Sequence, residues 1–213
     1  MKIKKAVKKI VDALKVCISK GNSKMGAIPS VSLPAIVTCR KNCACCKGCY
    51  AAKLERIYKN VRESYQRNLD ILIKHPDEYW KQVNEAVAVN RFFRFHVSGD
   101  IPFYGYLEKM VETAIKNPQC QILAFTKQYE FVNKYLDTHG EFPKNLHIIL
   151  SGWRDFKPEN PHNLPEAHVR FKDGYCDARE DAVECYGNCM ECCVAGCGCW
   201  KLERGEQVVF NQH

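Results

Sequence analysis

No stretch of the 213-residue chain approaches the roughly 20 consecutive apolar residues that a membrane-spanning helix requires, which excludes a helical integral membrane protein. The lysine-rich first twenty residues lack a signal-peptide apolar segment, because Lys8, Lys9 and Lys15 interrupt every candidate. The expected location is therefore the cytoplasm. Internal repeats of fixed period and low-complexity linkers are missing as well, so no solenoid or tethered array is read. Gly21 to Gly26 resembles a loop that offers backbone amides to phosphate, but it lacks the spacing of a P-loop.

Cysteine is what the chain has in excess, fourteen in all. Cytosolic thiols are kept reduced, so closely spaced cysteines there point to metal ligation rather than disulfides. The formal charge of +8 invites a nucleic-acid reading. Ligation by two iron–sulfur clusters would lower it to about +5, since each cluster with its thiolates carries net negative charge.

The apolar pattern predicts an amphipathic helix over Lys2 to Ser19, with Ile3, Val7, Ile10, Val11, Leu14 and Ile18 on one stripe and lysines off it. Its basic face is either solvated or a contact for nucleic acid. Beyond Gly21, apolar runs alternate with helical segments. Strands are expected at Val31 to Thr38, Phe92 to Val97, Gln121 to Phe125 and Leu146 to Leu150, and edge strands at Ala167 to Phe171 and Gln207 to Asn211. Helices are expected at Val61 to Lys74, Glu78 to Val89, Tyr104 to Lys116 and Phe131 to Thr138. The order β-αα-β-α-β-α-β implies an α/β fold with a parallel sheet, either a partial TIM-like barrel or an open sheet. Residues 1–175 would form this domain, and residues 176–213 a cysteine-rich metal-binding extension packed on it.

Five thiols, Cys39, Cys43, Cys45, Cys46 and Cys49, follow the first expected strand within eleven residues. They offer C-x3-C-x2-C through Cys39, Cys43 and Cys46, C-x6-C-x2-C through Cys39, Cys46 and Cys49, or C-x5-C-x3-C through Cys39, Cys45 and Cys49. A second group comprises Cys185, Cys189, Cys192, Cys193, Cys197 and Cys199, with Cys176 upstream. Cys185, Cys189 and Cys192 with Cys197 or Cys199 would close a tetrathiolate site. Thiolates select zinc, copper(I) or iron–sulfur clusters over hard ions. Structural zinc favours two C-x2-C knuckles with a spacer between them, which these triple-cysteine loops fit poorly. Iron–sulfur clusters of the 4Fe-4S type are thus the first expectation and zinc the alternative. Cys17 and Cys120 sit in apolar runs and read as buried thiols.

A three-cysteine loop after the first strand, with Ser98-Gly99-Asp100 closing the second, resembles the radical S-adenosylmethionine superfamily. That resemblance implies a four-iron cluster with one iron open to the cofactor, and Asp100 on the cofactor's ammonium group. Cys45 stands before Cys46 where that superfamily usually has an aromatic residue. Thr126, Lys127, Ser151 and Trp153 end the later strands on the same rim, with Lys127 suited to an anion and Trp153 to stacking on adenine or a base. Period-two alternation would put His96 opposite Phe95 and Val97, where it either ligates metal or transfers a proton, or is a hydrogen-bonded packing histidine. Ser98, Gly99, Asp100, Thr126, Ser151 and Trp153 are accordingly the candidate cofactor contacts, and Asp100, His96 and Lys127 the candidate catalytic groups.

Several short motifs in order also resemble the phage and prophage "gene product 88" domain proteins. They are Gly21-Asn22-Ser23-Lys24-Met25-Gly26, Cys49-Tyr50-Ala51, Val61-Arg62-Glu63-Ser64 with Arg67-Asn68, Phe95-His96-Val97-Ser98-Gly99-Asp100, Phe125-Thr126-Lys127, Asn160-Pro161-His162 and Cys199-Trp200. The family pattern implies Cys39, Cys45 and Cys49 as shared loop cysteines and Cys185, Cys189, Cys192 and Cys199 as terminal ones. A second phage family, with C-x2-C-Tyr-Ala at the loop's end, would instead imply Cys39, Cys46 and Cys49. Three functional classes remain open at this point: a radical enzyme, a metal-stabilised nucleic-acid-associated protein, and an electron carrier.

Overall fold

The structure is a computed structural model and describes residues 12–41 and 43–212. Its strands are β1 (Ile18–Ser19), β2 (Ser30–Val31), β3 (Phe92–Phe95), β4 (Gln121–Thr126), β5 (Leu146–Ser151), β6 (Glu166–Arg170), β7 (Val183–Glu184) and β8 (Gln207–Asn211). The helices are α1 (Tyr50–Ile57), α2 (Lys59–Lys74), α3 (Pro76–Ala88), α4 (Tyr104–Lys116), α5 (Tyr129–His139) and α6 (Cys189–Ala195), with short 3-10 turns at Ala44–Gly48 and Gly198–Trp200. The strands form one open sheet in the order β1-β2-β3-β4-β5-β6-β8-β7. Only β1 against β2 is antiparallel. The fold is therefore α/β with a mostly parallel open sheet, and the cysteine-rich C-terminal region supplies two of its strands.

From β2 to β6 each parallel strand lies beside its predecessor. Right-handed crossovers that all advance the same way leave their helices on one face of the sheet. Phe93, Phe95, Ile122, Ala124, Ile148 and Leu150 point to that face and pack with Leu72, Trp80, Val83, Met110, Val132 and Leu136 of α2 to α5. Alternation sends Phe92, Leu123, Phe125 and Ile149 to the other face, which the cysteine-rich segment covers through Met190, Cys193, Trp200 and Leu202 together with Met25.

Four expectations need correction. The helix predicted over Lys2 to Ser19 lies outside the described residues up to residue 11. Its end is not helical, since Ile18 and Ser19 pair with Val31 and Ser30. Two amides in the packed helices hold this backbone extended. Gln82 accepts from Val16 N and donates to Leu14 O, and Asn68 accepts from Cys17 N at 2.7 Å and donates to Cys17 O at 3.1 Å. The strand predicted over Val31 to Thr38 stops at Val31, because Pro34 has no N–H to give a ladder and Ile36 turns at φ 67°. The segments read as edge strands are interior: β6 lies between β5 and β8, and β8 between β6 and β7.

His96 is the fourth. It takes φ 60°, which breaks the alternation and folds its ring back beside Phe95. Its Nε2 meets the Tyr106 hydroxyl at 3.0 Å on the helical face, and Tyr106 in turn meets Tyr79 at 2.9 Å. Burial, helped by the nearby Arg94 charge, drives its pKa down to about 3, so the imidazole is neutral. A packing histidine fits this environment.

Candidate metal centres and the rim of the sheet

The five-thiol loop wraps the carboxyl edge of the parallel strands, where open α/β sheets place their sites. Cys39 follows the turn at Ala35 to Thr38, and Thr38 Oγ1 both donates to Pro34 O and accepts from Asp100 N. Gly99 makes this close approach possible. It has φ 79°, and a Cβ there would lie 2.6 Å from Thr38 Oγ1 and 2.7 Å from Leu33 O.

The loop thiols form one neighbourhood. Cys39 is pushed up to about 12 by burial, then by the charges of Asp100, Cys49 and Cys46. Cys46 is raised by burial and by Cys43 and Cys49, and it also adjoins Cys45. Cys43 and Cys45 have their sulfurs 3.0 Å apart. The hydrogen bond from Cys45 pulls Cys43 down to about 6, and the Lys127 ammonium acts in the same direction.

Asp100 is 5% exposed, and its carboxylate accepts three hydrogen bonds from this chain. Thr126 Oγ1 donates to Oδ1 at 2.6 Å, Ile101 N to Oδ1 at 2.7 Å and Lys127 N to Oδ2 at 2.8 Å. The side chain thus clamps the ends of β3 and β4 together. Ser98 Oγ donates to Glu55 Oε1 at 2.7 Å, and the same oxygen accepts from Ala35 N at 2.8 Å, so α1 is tied to the rim by Glu55. Lys127 Nζ donates to Ser151 Oγ at 2.8 Å, and Tyr129 donates to Ser151 O at 2.5 Å. Trp153 packs edge-on against Phe171, with ring centroids 5.0 Å apart, beside Gly48 of the loop. Arg40 lies over both Tyr129 and Phe156, at 5.4 Å and 5.5 Å. Thr126, Lys127, Ser151 and Trp153 therefore do share one rim with the cysteine loop.

The tail thiols sit on the far face of the sheet. Cys185, Cys189, Cys192 and Cys199 pack into the apolar cluster around Trp200 and Met25. Burial raises Cys199 to about 12, with Cys185, Cys189 and Cys192 adding to it, and burial raises Cys192 to about 11, with Cys197 first and then Cys185 and Cys189 adding to it. Asn188 caps α6 by accepting from Met190 N and Glu191 N, and Gly196 ends it in the left-handed conformation. The N-terminal loop docks here, since Cys189 N donates to Lys24 O at 3.1 Å and Gly26 faces Met190. All fourteen cysteines are free thiols. Among the described residues no three His, Cys, Asp or Glu side chains converge to hold a metal ion.

Arg94 and Glu55 are the site residues that sequence reasoning missed. Arg94 alternates with Phe93 and Phe95 onto the tail face and lies 4.8 Å over the Phe125 ring, where its charge acts on Cys189. A lone arginine inside the run Phe92-Phe93-Arg94-Phe95 was its signal.

The gene product 88 family model matches residues 2–196. The chain belongs to the gene product 88 family. The match runs through the loop thiols, the rim residues and the first four tail thiols, and ends before Cys197 and Cys199. No significant match was found among curated proteins or solved structures. Among the described residues no helix is long and apolar enough to cross a membrane.

Proposed function

We propose that this gene product 88 protein is an iron–sulfur protein with one thiolate site on the tail and one in the rim loop. The observation that carries this reading is that Cys185, Cys189, Cys192 and Cys199, from three different local structures, all pack without disulfides against one apolar cluster on the tail face. Four thiolates with no carboxylate among them suit soft metals. In the loop, Cys39 has both Cys46 and Cys49 near it, which supports C-x6-C-x2-C as the ligand set, with Cys43 and Cys45, whose sulfurs lie 3.0 Å apart, as the thiols left over.

Anaerobic purification followed by metal and acid-labile sulfide analysis tests the proposal. Iron with matching sulfide is expected, and Cys199→Ser should lose a cluster that Cys120→Ser retains. Zinc without sulfide, or protein with no bound metal, sinks it.

The finer form of the reading is a radical S-adenosylmethionine-like enzyme. Three loop thiolates would leave one iron open, and an open iron can take the amino-acid part of that cofactor. Asp100 then acts as a positioning residue, because its carboxylate already accepts three hydrogen bonds. Reconstituted, reduced protein that never cleaves S-adenosylmethionine would remove this finer form and leave the cluster assignment standing.

A further inference from the structure

From Ala13 to Arg62 the chain has ten lysines and arginines and one carboxylate, Glu55. From Glu63 onward the balance reverses, with 22 acidic residues to 17 basic ones. Glu55 does not dilute the basic segment's surface, because its carboxylate is turned inward onto Ala35 N and Ser98 Oγ. The segment therefore shows solvent one sign of charge. Of Lys47, Lys53, Arg56, Lys59, Arg62 and Arg67, all exposed, only Lys59 has an ion-pair partner among the described residues, Glu63 at 3.6 Å.

Apolar and aromatic side chains run through these cations. Leu54 and Ile57 lie on the solvent side of α1 beside Tyr50, whose hydroxyl is tied back to Val97 O at 2.9 Å, and Tyr58 follows at the junction with α2, 52% exposed. Flat rings set between cations on a surface suit unpaired bases and their phosphates, since stacking accepts any base. Exposed cations also stand on α2, at Lys59, Arg62 and Arg67, and in the cysteine loop, at Lys47. A strand-like polyanion suits such a spread, whereas a membrane-surface helix would confine its cations to the flanks of the apolar face. α1 is also anchored through Ala51 and Glu55 and is not free to enter a duplex groove.

We infer that the outer face of α1 and α2, beside the cysteine loop, binds single-stranded nucleic acid, with Lys53, Arg56 and Arg62 on phosphates and Tyr58 stacked on a base. This goes beyond the metal assignment and does not depend on it.

The test is fluorescence anisotropy of a labelled single-stranded oligonucleotide with the full chain as purified, across a salt series. The triple variant Lys53→Gln/Arg56→Gln/Arg62→Gln is expected to flatten the slope of log affinity against log salt by about 2, because each lost phosphate contact on a single strand removes about 0.7. Tyr58→Ala should lose about fivefold or more at fixed salt. Should the triple variant melt lower than the wild type, Arg56→Gln alone is expected to show about one third of the change in slope. Wild-type binding that neither variant weakens overturns the inference and moves the contact elsewhere, for example to the lysines of residues 2–9. Absence of binding at low salt, preference for duplex, or tighter binding to phosphatidylserine vesicles lost in the same variants would each overturn it too.

Discussion

Replacing Asp100 with asparagine separates a clamp from a ligand-binding carboxylate. The native side chain is buried and accepts three hydrogen bonds, two at Oδ1 and one at Oδ2. Hydrogen bonds to an ionised acceptor contribute about 1.5–3 kcal/mol each, and a buried donor left without a partner costs about 1–3 kcal/mol. Asparagine keeps one oxygen, which can serve Thr126 and Ile101, but it turns an amide NH2 toward the Lys127 N–H. One donor is then orphaned and two bonds lose their charge. Burial holds the Asp100 pKa above its ordinary value despite these bonds, so the neutral amide recovers part of the cost of the buried charge. The net expectation is a loss of about 2 kcal/mol for Asp100→Asn and roughly twice that for Asp100→Ala. In a domain of this size the first corresponds to a fall in melting temperature of about 4–8 °C. Thermal unfolding followed by circular dichroism, with S-adenosylmethionine binding measured on the same samples, gives the answer. A variant that melts with the wild type yet loses the cofactor would refute the clamp and restore Asp100 as a contact for the cofactor's ammonium.

His168 is buried between Asp177 at 2.9 Å and Glu166 at 3.0 Å; burial alone would lower its pKa, but bonds to the two carboxylates raise it above 6.5. The stability it contributes is complete below pH 6.5 and is lost as pH rises through the raised value, so melting temperature should fall over that range and His168→Gln should flatten the profile. Gly26→Ala places a Cβ 2.6 Å from Met190 Cβ at φ 67°, and should displace α6 and deplete the tail site of metal while rim-loop metal is retained. Cys43→Ser and Cys45→Ser should keep the loop's iron content and Cys46→Ser should lose it; loss with both Cys43→Ser and Cys46→Ser would favour the C-x3-C-x2-C set, and loss with Cys45→Ser but not Cys46→Ser the C-x5-C-x3-C set.

The regular elements were legible wherever one periodicity dominated. Tyr104–Lys116 and Gln207–Asn211 match their expected bounds, because the first has a full apolar stripe and the second is a short Val-Val-Phe run bounded by polar residues. Reading failed where a side chain from another element captured the backbone, as Asn68 and Gln82 do at residues 14–17, since periodicity has no term for such contacts. It failed again at His96, where a positive φ overrides alternation. Rim residues were found because strand ends in a parallel sheet share an edge, and the partners of Asp100 were missed because hydrogen bonds across 26 and 27 residues leave no local mark. Which cysteines neighbour one another is likewise a matter of loop path, which spacing leaves open.

The winding of the sheet bears on what the tail thiols are for. With all the crossover helices on one face, the other face needs a cover, and the segment after residue 176 provides it with few large apolar side chains and many cysteines. Neutral thiols are acceptable small core groups on their own account. Arg94 changes that balance. Its guanidinium lies over Phe125, its Nε is buried without a hydrogen-bond partner, and among the described residues no carboxylate pairs with it. A cation in an apolar cluster is costly unless an anion sits beside it. The groups available are Cys189 and Cys199, which carry no charge as thiols and one negative charge each as metal thiolates. Arg94→Met, similar in length and uncharged, should therefore leave the metal-free protein as stable as the wild type or more so, and should weaken metal retention by the tail site. Chemical denaturation of the chelated protein, set against metal loss to a competing chelator from the loaded one, separates the two effects. Equal retention by both proteins would mean that Arg94 serves packing alone, and the tail cluster would lose its main electrostatic argument for holding thiolates.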